Sequence, residues 1–154
     1  MGAPYTSFAV ANALLEIAEE KDGKRLTNLY LQKMVYFAHG WYLGIMHKPL
    51  VLEVCQAWRY GPVFQYLYDA LRKYGSGEVT GEIEAIDNVE KESDDYQFLQ
   101  ALYEKYGHYN VRELIAITHN PGSPWNQAGA GKYLYREIPN AIIEEFYSKL
   151  AQAQ

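Results

Sequence analysis

One stretch restricts the fold of this chain more than any other. From Thr27 to about Met46, the residues Leu31, Met34, Val35, Ala38, Tyr42 and Ile45 recur at helical spacing, and Thr27 suits the start as a capping residue. Aromatic residues flank this stripe on several sides, so the helix has no broad polar face and belongs at the centre of a bundle. Gly40 would let a neighbour approach it closely.

A buried helix needs partners, and the rest of the chain offers them. Ser7 is read as the cap of a first helix to about Glu20, with Phe8, Ala11, Leu14, Leu15 and Ala18 on one stripe. Pro49 to Tyr60 reads as a short extended stretch. Gly61-Pro62 then breaks the chain and is expected to start a third helix, with Pro62 in the first turn, where its missing N–H costs nothing. Val63, Leu67, Ala70, Leu71 and Tyr74 form the stripe of that helix, and Gly75 stops it. Gly75 to Glu92 reads as a mobile loop or poor hairpin. Asp94 with Gln97 resembles a capping box for a fourth helix ended by Gly107, and Asn110 with Glu113 offers one for a short fifth helix. Asn120 to Gly131 is rich in Gly and Pro and reads as loop. A last helix begins near Pro139 and presents Ile142, Ile143, Phe146 and Leu150. The expected fold is mainly α, a single-domain bundle of about six helices over residues 1–154 with a short extended or β insertion.

Composition narrows the function. At 154 residues, 49% apolar and 21% charged, the chain can bury a real core. Fifteen Tyr and three Trp are many for this length, and such side chains favour half-exposed positions and interfaces. A net charge of −5 speaks against nucleic acid or an anionic membrane as partner. The charge is uneven: eight acidic residues face one lysine, Lys91, between Glu78 and Asp95, a run that would suit a basic partner. A single cysteine, Cys55, fits a reducing compartment. The N-terminus lacks a signal-peptide pattern and no run approaches membrane-spanning length, so a cytoplasmic location is expected.

Catalytic signatures are missing. There is no glycine-rich phosphate loop, GxSxG elbow, HExxH or paired-cysteine pattern, so no enzyme activity, cofactor or metal is expected. His39 reads as a hydrogen-bonded core residue, and His119 as a helix C-terminal residue whose imidazolium the helix dipole favours. Cys55 paired in space with a histidine would be the one route to a nucleophile. A helix-turn-helix reader would need a basic, polar recognition helix, and none is visible.

Three segments resemble the Panacea domain, the family of SocA-like antitoxins and phage-associated GepA-like proteins. They are LTNLYLQKMVYFAHGWYLGIMHKPL (Leu26 to Leu50), EVCQAWRYGPVFQYLYDALRKYG (Glu53 to Gly75) and LIAITHNPGSPWNQA (Leu114 to Ala128). Met34-Val35 and Val54-Cys55 depart from the usual pattern as core swaps. The resemblance implies a helical antitoxin that neutralises a toxin by direct contact, the toxin being encoded by an adjacent gene. One branch of the family delivers its toxin to a ClpXP-type protease instead. Within these motifs Trp58, Tyr60 and Trp125 stand on non-helical chain next to a Gly or Pro, where they either pin the insertion to the bundle or line a partner groove, while Lys33 and Arg59 are polar positions that either anchor a buried carbonyl or carboxylate or reach a partner. Lys33 and Tyr36 on the central helix are the second candidate surface.

Overall fold

The computed structural model describes residues 2–133 and 135–154. Among them are seven α-helices, a 3-10 turn and three short strands. In chain order these are α1 (Ser7–Asp22), α2 (Asn28–Met46), β1 (Cys55–Trp58), β2 (Gly61–Val63) and α3 (Gln65–Ala70) with the 3-10 turn Arg72–Tyr74. Then follow α4 (Asp94–Tyr106), α5 (Val111–Thr118), α6 (Pro124–Gln127), β3 (Arg136–Ile138) and α7 (Asn140–Gln152). The mainly helical class expected from periodicity is the one observed, with a three-stranded sheet as its β part.

α2 runs through the middle, and α1, α4, α5 and α7 pack around it. Every residue from Tyr30 to Gly44 is buried, as its two-sided apolar pattern requires. Ile45, expected on the buried stripe, is exposed because the helix leaves the core there. α7 lies closest, and glycine is the reason. A Cβ on Gly44 would stand 2.6 Å from the Tyr147 carbonyl carbon, so the two backbones touch where Gly44 carries no side chain. Gly40, one turn earlier, admits the Tyr147 ring, which packs edge-on against Tyr36 and Trp41.

Several local readings are corrected. The cap of α1 is Thr6, whose hydroxyl accepts from the Ala9 N–H. Ser7 is inside the helix and buried, and its N–H and hydroxyl both donate to the Glu53 carboxylate. The cap of α4 is Ser93, with Asp94 as first helical residue. The Asn110–Glu113 capping box of α5 is present in full. Gly61-Pro62 does not open a helix. It forms β2, at the edge of the sheet order β2-β1-β3, where a proline is tolerated because the outer side of the ladder needs no N–H. Inside the expected loop, Ser123 and Pro124 start the one-turn helix α6. β3, not anticipated, pairs antiparallel with β1 through Cys55↔Ile138 and Ala57↔Arg136.

The segment read as a mobile loop is a strap laid across α1. Val79, Ile83 and Val89 are buried in the core, and Asn12 closes a pair of hydrogen bonds with the Ile83 backbone at 2.7 and 2.8 Å. Asp87 accepts from the Thr6 N–H and hydroxyl. Part of the acidic run is thus engaged in holding the start of α1. No helix among the described residues is long and apolar enough to cross a membrane.

Candidate functional site

The three sheet strands carry a turn, Trp58 to Pro62, whose inner side faces α2 and whose outer side faces solvent. Its inner side is held by the motif residues. Lys33 of α2 is fully buried, and its Nζ donates to the Pro62 carbonyl at 3.2 Å. Gly61, at φ +113°, lies against the Lys33 stem and the Thr118 hydroxyl, with a Cβ there falling 2.5 Å from Lys33 Cε. From the other side, Trp125 Nε1 donates to the Trp58 carbonyl at 2.6 Å, and the Trp125 ring stacks on His119 at 3.7 Å between centroids. Lys33, Gly61, Thr118, His119 and Trp125 come from three distant segments and meet behind one turn.

Electrostatics follow from that burial. Desolvation pulls the Lys33 amine down to about 7, with only Cys55 opposing the shift. Burial pushes the Cys55 thiol up to about 12, so it stays protonated and is a poor nucleophile. His119 does cap α5, yet its pKa is lowered, first by burial and then by Lys33. The helix dipole expected to favour its imidazolium is outweighed. His39 accepts from the Val51 N–H at Nδ1 and faces Asn140 Oδ1 at 2.9 Å through Nε2, a neutral core histidine with burial holding it at about 4. Among the described residues no three His, Cys, Asp or Glu side chains gather to hold a metal.

The lysine gives a pH-dependent stability. Its folded pKa of about 7 lies below the ordinary 10.5, so the unfolded chain binds more protons between those values and stability rises with pH. Cys55 works the other way above 9, which leaves pH 7 to 9 to Lys33. Denaturant titrations should show about 2 kcal/mol of added stability across that window, and Lys33→Met should abolish the slope. A flat profile in the unsubstituted protein would contradict the burial of an amine that has a carbonyl but no carboxylate beside it.

The candidate residues therefore divide. Lys33 and Tyr36, taken as a possible partner-facing pair, are interior: Tyr36 packs on Phe37 and Tyr147 with 1% of its surface exposed. Trp125 is buried too, and pins the turn. Trp58 is half-buried, its ring edge-on to Tyr68 and Tyr135 and its Nε1 donating to Gln56 Oε1. Arg59 and Tyr60 are exposed, the guanidinium 5.4 Å from the Tyr60 ring centre. The structure adds residues that were not foreseen. Tyr133 and Tyr135 are about half exposed, and Arg136 lies over the Tyr133 ring at 4.0 Å. The alternation of Tyr133, Tyr135 and Glu137 was the available signal for a strand bringing them beside Trp58.

The fold and this surface define a small helical domain that presents tyrosine and arginine side chains on a rigidly mounted turn. The family model for the SocA-like antitoxins, Panacea domain, matches residues 31–126, a span that contains Lys33, the turn, Thr118, His119 and Trp125. The chain is also similar to Antitoxin SocA of Caulobacter vibrioides (strain NA1000 / CB15N), with 30% identity over 132 residues, 80% of this chain and 70% of that protein. The chain belongs to the SocA-like antitoxin family of Panacea domains. No solved structure matches it.

Proposed function

We propose that this chain is an antitoxin that neutralises its cognate toxin by direct protein–protein binding, with the turn Trp58 to Tyr60 and the neighbouring Tyr133 to Arg136 segment as the grip. One observation carries the reading: exposed Tyr and Arg side chains sit together on a turn whose back is fixed by buried motif residues. Binding energy at interfaces concentrates in Trp, Tyr and Arg, and a pre-set turn loses little entropy on docking. The membership in an antitoxin family supplies the class of partner.

Co-expression with the product of the adjacent reading frame tests it. The toxin is expected to persist intact and bound at unchanged abundance in protected cells, with or without a working ClpXP protease. Protection that requires the protease and removes the toxin would replace direct neutralisation by delivery for degradation.

A further inference from the structure

We propose that the element this surface grips is an acidic segment of the partner protein, an inference that rests on the surface being the toxin-facing one. The chain carries −5 overall, yet the stretches that build the surface hold three cations, Arg59, Lys132 and Arg136, against one carboxylate, Glu137. The backbone brings the cations together. Gly131 is packed so closely on the turn that a Cβ there would lie 2.8 Å from the Trp58 carbonyl oxygen and 3.1 Å from the Arg59 Cα, which sets Lys132 beside Arg59. Arg136 stands opposite Ala57 in the ladder, and the Tyr135 ring is 5.5 Å from that of Trp58.

None of the three cations has a carboxylate within 4.0 Å among the described residues, so none of them is neutralised within the chain; the same holds for most of its other Lys and Arg side chains, and it is the grouping of these three on one surface that counts. The two guanidinium groups instead rest on Tyr60 and Tyr133, which spreads them over the surface with their donors free. A planar guanidinium matches a carboxylate with two parallel hydrogen bonds, and the tyrosine rings supply apolar area between such contacts. The backbone there is also held in an unfavourable form: Ala130 and Tyr135 both have φ near +55 to +58°, at about 1–2 kcal/mol each. Such conformations persist where the surrounding structure enforces them, and they cluster at binding sites. The earlier expectation of a basic partner rested on the acidic run, and part of that run is occupied with α1.

The test uses the whole chain and three labelled probes: a peptide of about sixteen Asp, Glu, Leu and Phe residues, the same peptide with Lys and Arg for the acids, and an oligothymidylate. The acidic peptide is expected to bind, to perturb the Tyr60 and Tyr135 resonances, and to weaken about tenfold or more in R59E/R136E and at high salt. Failure of the acidic peptide to bind, equal binding of the basic one, or indifference to R59E/R136E would overturn the inference. Tighter binding of oligothymidylate at the same residues would overturn it in favour of nucleic acid. The two failures are distinguishable: toxin binding lost in Tyr60→Ala but kept in R59E/R136E leaves the surface standing and removes only the acidic partner, whereas toxin binding kept in Tyr60→Ala and in R59E/R136E alike removes the surface itself.

Discussion

Replacing Trp125 by alanine is expected to lower folding stability by about 3–5 kcal/mol, the usual loss for a truncated core aromatic. Three effects add at this residue. The ring is 7% exposed, so truncation opens a cavity. It stacks nearly parallel on His119, an interaction that alanine removes. Its indole N–H is the partner of the Trp58 carbonyl, which is left without that donor. The melting temperature should fall by about 10 °C for a chain of this length. Trp125→Phe separates the contributions, because it keeps the stack and much of the volume while losing the hydrogen bond, and should cost about 1–3 kcal/mol. A Trp125→Ala protein that melts within a degree or two of the parent would contradict the pinning role.

What the chain reveals before folding depends on how local each interaction is. Asn110 and Glu113 cap α5 by reaching each other across one turn, so their box is legible. Thr27 is legible for the same reason. Ser7 was misread because its partner, Glu53, lies in another segment, and the cap passes to Thr6. Gly61-Pro62 carries a helix-start signal, yet the edge of a sheet and the Lys33 amine, 29 residues away, hold it as a strand. The strap shows only a weak alternation through Val79, Ile83 and Ile86, and Ile86 is exposed while Val89 is buried, because the segment is held point by point, at Ile83 by Asn12 and at Asp87 by Thr6. Within the candidate site, Trp58, Arg59 and Tyr60 could be picked out from composition beside a Gly-Pro break. For Lys33 the sequence leaves two readings open, an anchor for a buried carbonyl or a reach toward a partner, and only distant chain decides between them by burying the amine against the Pro62 carbonyl. Tyr133 and Tyr135 join the surface only once β3 has paired with β1.

The second large effect concerns binding. Arg59→Ala and Tyr60→Ala remove exposed side chains, so each should leave the fold intact. Surface changes of this sort usually alter stability by no more than about 0.5 kcal/mol. A hot-spot truncation costs about 2 kcal/mol of affinity or more, a loss on the order of thirtyfold. The two side chains touch, so the double variant need not show the simple sum. It should still lose on the order of a hundredfold or more in affinity. The contrast with Trp125→Ala is diagnostic: one substitution should unsettle the fold, while the others should release the partner from an intact one.

Toxin affinity and thermal melting measured on the same preparation of the Arg59→Ala/Tyr60→Ala protein therefore test the central claim most directly. The melting temperature should be unchanged with the toxin released and protection lost; an intact double variant that still binds and neutralises the toxin as the parent does would contradict the assignment of this turn as the grip.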